Sequence, residues 1–319
     1  MHISYRKMAF IGKLTASGGR SFSTSVGMQN VIKEFVVIGG GLMGAGIAQV
    51  GAQTGHKVTL VDVDQKVLDK SQARIGESIK RVAKKQFKED VSASEKFIAE
   101  AMARLHIATN PDSALSTADL VVEAVTENLA LKKKLFAGYD AVAPAKTIFA
   151  SNTSSLSIGD IAASTPNRLD RFGGLHFFNP VPVMKLLEVI RIPQTSDQTF
   201  NAMMDWGKAM GKTCVSAKDT PGFIVNRLLV PNLMEAIRLV ERGDATPEDV
   251  DIAMKLGAGH PMGPFELADY VGLDTTKFII DGWSERFPNV EQFKPSPLLN
   301  KLVGEGKLGR KSGQGFYKY

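Results

Sequence analysis

Apolar positions in the first two thirds of the chain fall into short β-branched runs separated by longer stretches of helical period. Residues 33–39 (KEFVVIG) form an apolar run that ends in glycine, 42–54 continues with small and apolar residues up to Gly55, and 57–62 is a second apolar run. This order predicts a βαβ unit of about 30 residues, with its strands parallel and its crossover right-handed. Residues 64–100 are long, charged and helical, and read as two helices. Short strands are expected at 105–108, 120–124 and 147–151, with a Lys-rich helix over 129–142 between the last two. Strands at 171–178 and 185–192, joined by Asn179-Pro180-Val181-Pro182-Val183, precede a helix at 196–210 and a last strand near 213–216.

After Asp219-Thr220-Pro221-Gly222 the strand pattern stops. Residues 223–241 read as a long apolar helix interrupted at Pro231, and the remainder alternates helical segments with Gly/Pro loops such as 257–264. The fold class expected is α/β: a Rossmann-type, mostly parallel sheet domain with a long helical insertion, followed by an all-α domain. The divisions are 1–30 as a leader, 31–218 as the sheet domain and 219–319 as the helical domain. The 319 residues are enough for two domains.

Composition removes several classes. With 44% hydrophobic and 23% charged residues the chain is neither disordered nor membrane-like. The longest apolar stretch, 35–50, has 16 residues, five of them glycine, and is too short and too glycine-rich for a membrane span. The single Cys214 excludes an internal disulfide and reads as a small buried residue in a reducing compartment.

The formal charge of +6 is unevenly placed. Arg6, Lys7, Lys13 and Arg20, with no acid among the first 30 residues, supply +4, leaving +2 for the other 289. The excess therefore does not point to nucleic acid. Basic residues spread through Ser, Thr and Gly, closing on Arg20-Ser21-Phe22-Ser23-Thr24-Ser25, fit a mitochondrial transit peptide.

Three groups of residues carry chemistry. Gly39-Gly40-Gly41-Leu42-Met43-Gly44 is a G-x-G-x-x-G placed after a strand and opening a helix. Gly39 permits the turn, Gly41 lets backbone approach a pyrophosphate, and Gly44 lets helix and strand pack closely. Asp62 ends the next strand, where its carboxylate can accept from ribose hydroxyls and repel a 2′-phosphate, which favours NAD over NADP.

His176 and Glu188 form the second group: each interrupts an apolar strand, so each needs a partner when buried. Adjacent strands would let the carboxylate orient the imidazole as a general base, although a satisfied core histidine has the same signature. Asn226, an amide on an apolar helix, either polarises a carbonyl or bridges the domains, and 151–155 (SNTSS) is either a ligand loop or a helix cap. The third group is the basic run from Lys80 to Lys88, which suits phosphates but is also what a solvated helix face looks like.

The chain from about 33 to 319 resembles the mitochondrial short-chain L-3-hydroxyacyl-CoA dehydrogenases of fatty-acid β-oxidation. The resemblance rests on GGGLMG at 39–44, VEAVTEN at 122–128, SNTSSL at 151–156, HFFNPV at 176–181, DTPGFIVNR at 219–227, GPFEL at 263–267 and GQGFYKY at 313–319. It implies that His176 takes the 3-hydroxyl proton as a hydride passes to NAD, that Glu188 holds the imidazolium, and that Ser154 and Asn226 bind the substrate oxygen. It further implies that Asp62, Glu127, Lys132, Lys311, Asn152, Ser154 and Asn179 serve NAD and that Ser78, Lys85 and Ser154 contact the CoA moiety. A homodimer in the mitochondrial matrix, with no metal, no nucleic-acid partner and no integral membrane association, completes the expectation. The rival readings are a related dehydrogenase of free hydroxy acids, which would need a carboxylate-binding cation beside the reacting carbon, and a non-catalytic NAD-binding protein.

Overall fold

The computed structural model describes residues 32–319, so the leader expected over 1–30 lies outside the described residues. β1 (Glu34–Ile38), α1 (Leu42–Gln53) and β2 (Lys57–Val61) form the first βαβ unit, followed by two antiparallel-packed insertion helices, α2 (Gln65–Phe87) and α3 (Val91–Arg104). Asp64 and Asp90 begin these helices by accepting from the backbone N–H groups of Lys66 and Ala93. Then come β3 (Leu105–Ala108), the one-turn α4 (Asp112–Leu115), β4 (Leu120–Glu123), α5 (Leu129–Asp140), β5 (Ile148–Ser151) and the short α6 (Ile158–Ala162). β6 (Phe172–Phe177), β7 (Leu186–Arg191), α7 (Asp197–Ala209) and β8 (Thr213–Lys218) complete the sheet.

The eight strands lie in the order β3-β2-β1-β4-β5-β6-β7-β8. Every neighbouring pair is parallel except β6 and β7, which a short loop joins as an antiparallel pair. Alternation along β1 explains why both faces must be covered. Phe35 and Val37 pack with α1, α2 and Trp206 of α7, while Val36 and Ile38 pack with Phe136 of α5 and Ile158 of α6.

α8 (Val225–Glu241), α9 (Pro247–Gly257), α10 (Pro264–Val271), α11 (Leu273–Arg286) and α12 (Pro297–Gly304) enclose a separate core around Met234, Phe265, Trp283 and Phe293. α8 runs unbroken through Pro231, against the expected interruption. The missing N–H is tolerated because Val230, Leu233, Met234 and Ile237 bury a continuous stripe on either side of it. Cys214 is only half-buried, and that burial pushes its thiol up from its ordinary pKa.

Two contacts tie the helices to the sheet. Asp219 caps α6, accepting from Ile158 N (2.9 Å), Gly159 N (2.8 Å) and Ser157 Oγ (2.8 Å), and Arg286 of α11 pairs with Asp160 at 2.7 Å. Buried Asp251 and Asp269 organise the C-terminal tail. Asp251 accepts from Phe265 N, Glu266 N and Tyr317 Oη, and Asp269 from Phe316 N and Tyr317 N.

Candidate active site

Strand register brings the chemistry to one edge. Ile38, Glu123, Ser151 and Gly174 are aligned across β1, β4, β5 and β6, so Gly39 and His176 both emerge at the carboxyl end of the sheet. His176 and Glu188 are cross-strand neighbours on β6 and β7, with Nδ1 2.7 Å from Oε2. Both are buried, at 2% and 0% exposure.

Glu188 receives three donors. Its other oxygen accepts from the backbone N–H groups of Ile224 (3.1 Å) and Val225 (2.9 Å), at the start of α8, so the helix N-terminus supplies the positive potential that a buried carboxylate needs. A carboxylate only accepts, so Nδ1 donates to it, and a ring with its single proton there leaves Nε2 to accept from Ser154 Oγ at 3.1 Å. Phe178 and Phe223 flank the ring, with centroids 4.5 and 5.5 Å away. The imidazole is therefore fixed in tautomer and orientation, with one nitrogen free to exchange its hydroxyl partner.

Ser154 is held in turn by Glu127, whose carboxylate accepts from Ser154 N (2.7 Å) and Thr153 Oγ1 (2.9 Å). Lys132 sits beneath this loop. It is 1% exposed and pairs with Glu123 at 2.6 Å and Glu127 at 3.4 Å. Glu123, fully buried, also accepts from Ser151 Oγ (2.6 Å) and Val125 N (2.7 Å). Asn152 accepts from Phe177 N at 2.8 Å, locking the loop to β6, and Asn226 donates to the Ser154 carbonyl at 3.4 Å from α8. The loop 151–155 is thus fastened to both parts of the chain.

At the other end of the edge, Gly39 has φ +107° and backs onto the Ala124 carbonyl, which a Cβ would strike at 2.6 Å. Above Gly41 the space is open within 4 Å, and α1 begins there with no side-chain cap. Uncapped N–H groups beneath an open glycine face fit a dinucleotide pyrophosphate. Asp62 Oδ2 accepts from Gly40 N at 2.7 Å, which fixes the carboxylate beside the turn with lone pairs to spare for ribose hydroxyls. A cofactor held there would involve 39–44 and Asp62.

Ser78, Lys85 and Asn179 line a second space, a groove between α1, α2 and the 179–183 loop. Lys311 is not brought to either place: it pairs with Asp274 in the helical part. Reading the sequence missed Glu123 and Asp219. Glu123 interrupts an apolar strand just as Glu188 does, so the same signal marked it, whereas Asp219 caps a helix too short to leave a periodic pattern.

A sheet edge that offers a dinucleotide turn and, further along, an imidazole held by a buried carboxylate fits the NAD-dependent dehydrogenases. The description "3-hydroxyacyl-CoA dehydrogenase, NAD binding domain" matches residues 34–220, and "3-hydroxyacyl-CoA dehydrogenase, C-terminal domain" matches 222–319. The chain belongs to the 3-hydroxyacyl-CoA dehydrogenase family. It is 57% identical over 314 residues to the mitochondrial hydroxyacyl-coenzyme A dehydrogenase of Homo sapiens, covering 98% of this chain and 100% of that one. The counterpart from Rattus norvegicus is 61% identical over 289 residues, covering 91% and 92%. Among solved structures, (S)-3-hydroxybutyryl-CoA dehydrogenase from Ralstonia eutropha superposes with TM-score 0.84 at 43% identity, covering 90% of this chain and 99% of that one.

Proposed function

We propose that the protein oxidises (S)-3-hydroxyacyl-CoA to 3-oxoacyl-CoA, reversibly, as a step of fatty-acid β-oxidation in the mitochondrial matrix, with His176 as general base. The observation that carries this reading is the position of His176 Nε2, 3.1 Å from a hydroxyl and backed by a buried carboxylate. Bound NAD would supply the acceptor for the hydride. The substrate 3-hydroxyl takes the place at Nε2 that Ser154 Oγ occupies. Its proton passes to Nε2, the C3 hydrogen leaves with its electron pair, and the C3–O bond becomes a carbonyl. Glu188 offsets the charge the ring gains, while Ser154 and Asn226 donate to the substrate oxygen. A positioned imidazole contributes about 10²–10⁴-fold, and alignment of the hydride donor and acceptor much of the rest.

The cofactor assignment extends to 39–44, Asp62, Glu127, Asn152, Ser154, Asn179, Lys132 and Lys311. Lys132 then acts from below the loop through Glu127, and Lys311 after release from Asp274. Ser78, Lys85 and Ser154 are assigned to the CoA moiety. The working division is 31–218 for cofactor and 219–319 for substrate and dimerisation, with 1–30 as transit peptide. Exposed Leu228, Ile252 and Leu256, at 70%, 52% and 84%, support a homodimer through the helical part.

The test follows NADH oxidation with acetoacetyl-CoA. His176→Ala is expected to lower kcat at least about 10²-fold while NADH fluorescence titration keeps its affinity. Turnover that survives the substitution would overturn the base assignment.

A further inference from the structure

A small pocket lies where the helical part meets the sheet. Its volume is about 130 Å³, and its walls are 155–157, 219–221 and one side of α11. Leu156, Pro221, Phe278, Ile279, Trp283 and Phe287 make most of the lining hydrocarbon. The charged groups at its rim are already engaged. Asp219 accepts the three donors that begin α6, and Arg286 pairs with Asp160. The buried polar atom left there without a partner is Trp283 Nε1, a neutral donor. A pocket with apolar walls and no charge to spare suits an uncharged hydrocarbon occupant.

Alternation along β6 fixes where this pocket stands relative to the chemistry. Leu175 and Phe177 pack on the α1 side of the sheet, with Ala45, Ile75 and Val181, so His176 faces the other way, toward Phe223 and the α6 side. The groove of Ser78 and Lys85 belongs to the α1 side, and the junction pocket to the α6 side. Ser155, which lines the pocket, directly follows the residue whose hydroxyl meets His176 Nε2. A thioester whose carrier lies in the groove and whose C3 sits at His176 has therefore crossed the sheet edge, and its chain beyond C3 is directed to the α6 side.

Gly282 is the second observation. Glycine within a helix is less stable than alanine, so its place inside α11 asks for a reason. It lines the pocket, and a Cβ added there would meet nothing within 4 Å. Resting on the acyl-CoA reading, we propose that the junction pocket binds the acyl chain beyond C3 and that Gly282 sets the length it accepts. An apolar cavity of about this size takes a guest of roughly six carbons, so methylenes beyond that number gain no further burial.

The experiment measures kcat/KM for acetoacetyl-CoA, 3-oxooctanoyl-CoA and 3-oxotetradecanoyl-CoA, with the KM for NADH and a thermal melt recorded alongside. For the wild type, kcat/KM should rise from the first ester to the second, by up to about fourfold for each methylene buried, and level off at the third. Gly282→Leu should lower the 3-oxooctanoyl-to-acetoacetyl ratio about tenfold, the equivalent of roughly two methylenes displaced, and leave the KM for NADH unchanged. Gly282→Ala, which favours the helix, should show a smaller fall of the same sign. A wild-type rate that does not rise with chain length, a ratio that Gly282→Leu leaves unchanged, or an equal loss on every ester would overturn the pocket assignment and leave the dehydrogenase reading standing. A wild-type protein that turns over none of the esters would overturn the acyl-CoA reading itself.

Discussion

Glu188→Gln removes no atom from the core, yet it is expected to disable the enzyme. The carboxylate is fully buried and receives three N–H donors, one from His176 and two from the start of α8. An amide offers one accepting oxygen. If that oxygen keeps the two backbone donors, the amide NH₂ faces Nδ1 of the imidazole, two donors point at one another, and the ring relieves the clash by moving its proton to Nε2. The nitrogen that should take the substrate proton is then already protonated. If the amide turns over, His176 keeps its partner, but the N–H groups of Ile224 and Val225 face a donor inside the protein. The first arrangement costs one charge-assisted hydrogen bond, about 1.5–3 kcal/mol, and the second costs two, so the inactive arrangement is the stable one. The expected result is a kcat lower by about 10²–10⁴-fold with a fall in Tm of only several degrees. NADH oxidation with acetoacetyl-CoA, together with a thermal melt on the same preparation, measures both. A Glu188→Gln protein that keeps a tenth or more of wild-type kcat would refute the argument that tautomer control is what this carboxylate provides.

Two further substitutions probe other parts of the same edge. Asp62→Ala should raise the KM for NADH by about tenfold or more, by removing an acceptor for the ribose and the contact to Gly40 N, and should narrow the preference for NADH over NADPH, because the carboxylate no longer repels a 2′-phosphate. Steady-state kinetics with both cofactors measures this, and an unchanged ratio counts against the role of Asp62. Lys132→Met leaves the buried carboxylate of Glu123 without its cation, at a cost of about 3–5 kcal/mol. Differential scanning fluorimetry should show Tm falling by roughly 10 °C, whereas a Tm within a degree of wild type would mean the ion pair is not holding the loop.

How much of this was legible in the sequence depends on the range over which each feature is encoded. The strands and long helices were readable because their periods are local, and the glycine turn because its conformation is written in consecutive residues. His176 and Glu188 stood out as polar interruptions of apolar strands, and their direct opposition follows once β6 and β7 form a hairpin-like pair. Their third partner was not readable. Ile224 and Val225 act through backbone N–H groups, which every residue but proline has, so no side-chain type marks them. Lys132, which the family resemblance alone singled out, shows the opposite case. The side chain is conspicuous in a Lys-rich segment, but nothing local distinguishes it from Lys133 and Lys134, and only the packing of α5 against the sheet makes it the buried one. Pro231 misled because the rule for proline is local, while the apolar stripe that overrides it is satisfied by α10 and α12.

The same contact that escaped the sequence joins catalysis to the arrangement of the two parts of the chain. Glu188 belongs to the sheet and its backbone donors belong to the first turn of α8. Asn226, one residue further along that turn, reaches the Ser154 carbonyl on the sheet side. A displacement of α8 relative to β7 lengthens the bonds to Glu188 and withdraws Asn226 from Ser154 together, because one helix turn carries both contacts. Asp219 and the Arg286–Asp160 pair add further contacts that restrain that displacement. Burying the carboxylate at a helix N-terminus, where a free side chain on the sheet would have been simpler to place, therefore makes the orientation of His176 depend on the helical part being seated.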